Sequence, residues 1–165
     1  MPEMDVFRFV FPEHIAPVTS RYYMKEDKDL LIQRSKFSAA PILVWQDIFG
    51  RWLPWNDEQK AEIKAWKEIF FEHQKTYLCS SPAPLYPVVG EEIYCNAFFA
   101  NDGSEDIYSF YSDNEEPVKA VVKRLADRKK GKAKIILGKA EFDLKDNCLE
   151  IVLPPRQVVH ISVTA

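Results

Sequence analysis

The chain has 165 residues, 47% of them hydrophobic and 13% aromatic, with 22 basic against 25 acidic side chains and a formal net charge of −3. That length and apolar content suffice to bury the core of one ordinary domain or two small ones and exclude a disordered chain, while the near-balanced charge supplies no field to draw nucleic acid or an anionic membrane, so neither is expected as a partner. The opening MPEMDVFRFVF has neither the basic start nor the cleavage site of a signal peptide, and no apolar run nears the roughly 20 residues that span a bilayer, so the chain as it stands reads as soluble and cytoplasmic.

In chain order, FRFVF (7–11) and PILVW (41–45) are continuous apolar runs bounded by prolines and read as strands covered on both sides. A weaker helical stretch, 29–36, lies between them. NDEQKAEIKAWKEIFFEHQKTYL (56–78) is the clearest helix. Asn56 stands at an N-cap, Gln59 where a capping box wants Glu or Gln, and Ile63, Trp66, Phe70, His73 and Tyr77 recur at helical spacing. SSPAPLYPVVG (80–90) carries three prolines within six positions and reads as an extended connector. Beyond it, seven short β runs are expected at 93–99, 107–111, 118–125, 134–137, 140–144, 148–153 and 158–163, separated by turn residues such as Asn101-Asp102-Gly103, Gly131, Gly138 and Lys145-Asp146-Asn147. Leu149, Ile151 and Leu153 fall on one face of their run, and Val159, Ile161 and Val163 on one face of theirs. This alternation predicts an antiparallel sandwich, with Pro154-Pro155 forcing a corner before its last strand.

Cys79, Cys95 and Cys148 are odd in number and form no CxxC pair. HExxH, GxSxG and a Gly-rich phosphate loop are absent as well, so no metal and no cofactor is expected. The basic stretch KRLADRKKGKAKI (123–135) lacks interleaved aromatic residues and reads as a solvated loop around the Gly131 turn.

FRFVFPEH, FSAAPILVW, the long helix, IYCNAFFANDGSEDIYSFYSDNEEPV and LPPRQVVHISV together resemble the closing third of large bacterial glycoside hydrolase-like proteins, in which a (β/α)8 barrel precedes a C-terminal β-sandwich. The resemblance covers nearly the whole chain and implies an α+β protein. Residues 1–88 would hold the last two βα units of a partial TIM-type barrel, and 89–165 an antiparallel β-sandwich. A full barrel takes about 250 residues, so the expected function is that of a C-terminal part of a carbohydrate-active protein. It would act as a hydrolase on glycosidic bonds only where the whole barrel is present, and self-association or contact with the remaining barrel is the expected partner behaviour. The alternative is a stand-alone sandwich that binds carbohydrate or a partner protein.

If runs 7–11 and 41–45 are barrel strands, Glu13, His14 and Asp47 stand just past their carboxyl ends, where barrel chemistry lies. Glu13 and Asp47 are then the candidate catalytic pair, because glycoside hydrolysis uses two carboxylates flanking the scissile bond. The competing reading makes Glu13 a cap, His14 an exposed loop residue and Asp47 the start of a turn. His14 joins Trp45, Trp52 and Trp55 as candidate substrate-binding residues, since flat aromatic faces stack on sugar rings. The same three tryptophans also suit packing beneath the long helix.

Overall fold

The structure, a computed structural model, describes residues 6–14, 18–20, 28–44, 55–123, 125 and 131–164. Its elements are α1 (Val6–Val10), β1 (Val18–Ser20), α2 (Lys28–Ser38), β2 (Ile42–Val44), α3 (Asp57–Glu72), α4 (Gln74–Tyr77), β3 (Ile93–Phe99), β4 (Glu105–Ser112), β5 (Val118–Val122), β6 (Lys132–Leu137), β7 (Glu141–Lys145), β8 (Cys148–Leu153) and β9 (Val159–Thr164). No helix among the described residues is long and apolar enough to cross a membrane.

The seven C-terminal strands form two antiparallel sheets, one in the order β3-β4-β9-β6 and the other β5-β8-β7. In the smaller sheet one register is set by local chemistry. The β7–β8 hairpin closes on Asp146 and Asn147, both at positive φ (47° and 63°), with Lys145 opposite Cys148. This is the two-residue turn whose twist matches that of paired strands, and Asn and Asp tolerate it best after glycine. Alternate residues then converge between the sheets. Cys95, Ala97, Tyr108, Phe110, Ile161 and Val163 from one sheet meet Ala120, Val122, Leu149, Ile151 and Leu153 from the other, all buried. The outer face of the smaller sheet is solvated, carrying Val152 at 40% exposure and the Lys119–Glu150 ion pair.

The second face of the larger sheet is covered too. Phe98 and Ile107 pack under Trp66, Phe70 and Tyr77 of α3 and α4, and Tyr111 packs with Phe37 of α2. The molecule is therefore three-layered, helices on a four-stranded sheet on a three-stranded sheet. The helix α3 starts as its sequence dictates. Asn56 Oδ1 accepts from the Gln59 backbone at 2.7 Å while Gln59 Oε1 accepts from the Asn56 backbone at 3.1 Å, a complete capping box. The connector 80–90 runs along the sandwich and touches it at two isolated bridges, Ala83 to Ala97 and Val89 to Val121.

The strand expected over 7–11 is a helix. As a strand, FRFVF would place three phenylalanines on one face. As a helix, it sets Phe7 and Phe11 one turn apart with ring centroids at 4.9 Å and turns Arg8 and Phe9 inward. Phe9 stacks over Phe98 at 6.0 Å, and Arg8 donates through Nη1 to the Pro12 carbonyl. Contact with Phe98 decides the local conformation, and Pro12 ends it. The partner of β2 is instead β1, in parallel register from Val18 opposite Ile42 to Ser20 opposite Val44. The described N-terminal part is thus one parallel β-α-β unit preceded by a short helix, and Glu13 follows a helix rather than a barrel strand.

Candidate functional site

Four polar residues of the larger sheet, Asn96, Ser109, His160 and Ser162, project from the helix-covered face and are buried. Alternation places them there: each neighbours residues that point into the sandwich core, so strand geometry forces the polar side chains under the helices. A buried polar group must find partners, and these do. The Tyr77 hydroxyl lies 2.7 Å from His160 Nδ1, and Ser109 Oγ lies 2.8 Å from His160 Nε2 and 3.3 Å from the Phe37 carbonyl. Asn96 Nδ2 donates to the same carbonyl at 3.1 Å. Burial pushes the His160 imidazole down to about 3, so it is neutral, and pushes the Tyr77 hydroxyl well up, with the charge of Glu105 adding to the effect. One proton arrangement satisfies every atom: Tyr77 donates to Nδ1, Nε2–H donates to Ser109 Oγ, and Ser109 donates to the Phe37 carbonyl.

A second cluster adjoins it at the end of α4. Glu105 accepts from Thr76 Oγ1 at 2.6 Å and from Ser162 Oγ, with His73 Nδ1 at 2.9 Å. Burial alone would raise the Glu105 carboxyl, but hydrogen bonds from His73, Ser162 and Thr76 outweigh it and hold the group at about 2. Trp66 lies edge-on to His160 at 5.2 Å and to Tyr77 at 5.7 Å, sealing the region with an apolar lid.

Serine, histidine and tyrosine in line have the composition of a nucleophile, its base and an orienting group. Here all three side chains are fully buried, at 0% exposure, so no substrate reaches Ser109 Oγ. The network instead fastens the C-terminal turn of α2, through the Phe37 carbonyl, and α4, through Tyr77, to the sheet. Lys36 pairs with Glu62 of α3 and the Val158 amide donates to Gln33 Oε1 at 3.3 Å, adding to the attachment.

Solvent-facing clefts lie elsewhere. One, of about 530 Å³, opens where α2 meets the end of β4 and the β8–β9 loop, lined by Asp29, Leu30, Gln33, Tyr111, Asp113 and Arg156. Another, of about 410 Å³, runs along α3 between Trp55, Ile63 and Phe71, with Lys60, Lys64 and Lys67 on its rim. Among the described residues no group of three or more His, Cys, Asp or Glu is placed to hold a metal ion.

Of the residues singled out in the sequence, Glu13 and His14 are exposed in the turn after α1, where His14 meets the Phe11 ring edge-on at 6.2 Å. Trp55 is buried in a cluster with Ile32, Ile42 and Ile63 while bordering the α3 cleft. Asp47, Trp45 and Trp52 lie outside the described residues. The cysteines carry no disulfide: Cys79 and Cys95 are buried, Cys148 is half-buried, and burial raises the thiols of Cys79 and Cys95. Sequence reasoning missed the Tyr77–His160–Ser109 line. Its signal was present as polar residues at alternate positions of otherwise apolar strands, which read equally well as a solvated face.

No family model matches the chain, and no curated protein matches it. Among solved structures it is similar to the alpha-fucosidase of Thermotoga maritima, at 14% identity and a TM-score of 0.41, covering 84% of this chain and 35% of that one. The same enzyme in complex with a mechanism-based inhibitor and in complex with fucose gives 14% identity, TM-scores of 0.40 and coverage of 93% of this chain and 35% of each. This chain therefore spans about a third of the length of the structures it is similar to.

Proposed function

We propose that this chain is the C-terminal part of a carbohydrate-active, glycoside hydrolase-like protein and is not catalytic by itself. The carrying observation is the parallel unit β1-α2-β2 fastened onto a sandwich by the end of α2. Three-residue parallel strands in a pair do not form a stable sheet in isolation, and parallel sheets are normally extended and covered on both faces. A unit of this kind belongs at the margin of a larger parallel sheet. The sandwich supplies the brace, because the Phe37 carbonyl takes hydrogen bonds from both Asn96 and Ser109. Carbohydrate is the proposed ligand, and the remaining parallel sheet, or a second copy of the chain, the proposed protein contact. The exposed Val6, Phe7 and Val10 of α1, with Phe11 just after it, favour such a contact.

The test is a panel of aryl glycosides and oligosaccharides assayed with this chain and with its Glu13→Gln and Asp47→Asn variants. The expected result is no turnover in any of the three, because catalysis needs several positioned groups around the scissile bond. Turnover by the unaltered chain that disappears in both variants would overturn the non-catalytic reading and make Glu13 and Asp47 a working pair. The stand-alone binding module remains a second reading, favoured by the open polar cleft beside Tyr111.

A further inference from the structure

The cleft between α2 and the sandwich carries more than its shape. Its volume of about 530 Å³ falls within the range of small-molecule sites. Its polar groups come from three separate parts of the chain: Asp29 and Gln33 from the first turns of α2, Tyr111 and Asp113 from the end of β4, and Arg156 from the loop between β8 and β9. Tyr111 is 5% exposed, and its hydroxyl is hydrogen-bonded to the Asp113 carboxylate; burial followed by that bond takes it up to about 12. Gln59 Nε2 donates to Asp29 Oδ1 at 3.0 Å, and Arg156 Nη2 donates to Glu115 at 2.8 Å, so the groups at the rim are held in place by partners outside the lining.

Arg156 adds an independent observation. Its φ is +53°, the left-handed region where glycine or asparagine is favoured. The two prolines before it fix the loop's approach, and a long cationic side chain occupies the position despite the backbone cost. The turn thereby carries the Arg156 side chain to the cleft wall.

We propose that this cleft binds a neutral, hydroxyl-rich ligand, a monosaccharide or the end of a short oligosaccharide. This rests on the carbohydrate-active reading above. The Asp29 and Asp113 carboxylates, against Arg156 in the lining and Arg34 near Tyr111, leave no net positive charge to hold a phosphate or carboxylate ligand, and no cluster of metal-binding side chains exists there among the described residues. Vicinal hydroxyls, which donate and accept together, complement a carboxylate on one side and a guanidinium on the other. Leu30, half-buried at the cleft wall, supplies apolar surface for the C–H face of the sugar.

The experiment titrates the full chain with D-glucose, D-galactose, L-fucose and D-xylose at millimolar concentrations, following backbone amides by two-dimensional NMR, with inorganic phosphate as the anionic control. At least one sugar should shift the amides of Leu30, Gln33, Asp113 and Gln157 together, and phosphate should not. Arg156→Gly should weaken that sugar about tenfold, the loss of one charge-assisted hydrogen bond. Because glycine suits the left-handed backbone, this variant should retain or gain thermal stability, which separates lost binding from lost fold. Asp113→Asn should weaken the sugar in the same direction. If a sugar binds with unchanged affinity in both variants, or shifts other amides, the cleft is refuted and the carbohydrate reading stands. If none of the four sugars binds, both fall, and stronger binding of phosphate at these amides overturns the neutral-ligand assignment.

Discussion

The buried imidazole of His160 should make the protein sensitive to acid in a way that one substitution removes. In the fold it is neutral and enclosed by Tyr77, Ser109 and Trp66, and its protonation is depressed to about 3. In the unfolded chain it titrates near 6.5. Above pH 6.5 both states hold the ring neutral and no difference arises. As pH falls from 6.5 toward 3, the unfolded state takes up a proton that the folded state refuses, so stability is lost across that window. Integrated between pH 7 and pH 4, this single site costs about 3 kcal/mol, a large share of the roughly 5–15 kcal/mol that holds a typical domain together. Urea unfolding followed by far-ultraviolet circular dichroism at pH 7 and pH 4 measures the loss. In His160→Gln the proton-linked part vanishes, although the variant starts less stable because Tyr77 and Ser109 lose an ideal partner. The unaltered chain should therefore lose about 3 kcal/mol more than His160→Gln over the same interval. Equal losses would refute the reasoning, and so would an imidazole proton resonance for His160 that titrates near pH 6.5 in the folded protein.

Two further outcomes follow from the same layer. Glu105→Gln should cost about 2 kcal/mol at pH 7, because the charge-assisted bonds from His73, Thr76 and Ser162 weaken together. Since the native carboxyl lies at about 2, below its unfolded value, its contribution is lost as pH falls below 4.5, and the gap between the two proteins in urea unfolding should narrow at pH 3; a gap that stays constant would show the charge to be irrelevant. Gly138→Ala should lower the thermal midpoint by several degrees, because glycine sits at φ +80° after the β6 irregularity and an added Cβ would stand 2.7 Å from the Val158 carbonyl. An unchanged midpoint would mean that the turn rearranges freely.

The sandwich was legible because its strands alternate. Leu149, Ile151 and Leu153 mark one face and their neighbours turn to solvent, so both the number of strands and the inner face could be read directly. The larger sheet was harder. Ser109 and His160 sit at the alternate positions of β4 and β9, and polarity there suggests water. In the fold that face is dry, and the polar atoms are satisfied by partners 51 and 83 residues away in sequence. No local spacing encodes such a meeting. The long helix announced itself through Asn56 and Gln59, because capping is a local device. FRFVF failed for the opposite reason: a five-residue apolar run has no decisive period, and the ring of Phe98 settled its conformation from outside.

The four-stranded sheet is buried on both faces, and this bears on how such a chain can be inherited. A recombination joint at the connector would carry away the sandwich with Phe98, Ile107 and His160 stripped of Trp66, Phe70 and Tyr77, leaving a wet imidazole and bare rings on its back. A joint before Asn56 would keep the helix cap, Trp66, Phe70 and Tyr77 with the sandwich, but would take the Phe37 carbonyl from Asn96 and Ser109 and the Phe37 ring from Tyr111. The smallest cassette that evolution or a protein engineer can transplant intact therefore includes α2 as well, so that α2, α3 and α4 travel together with the sandwich they cover.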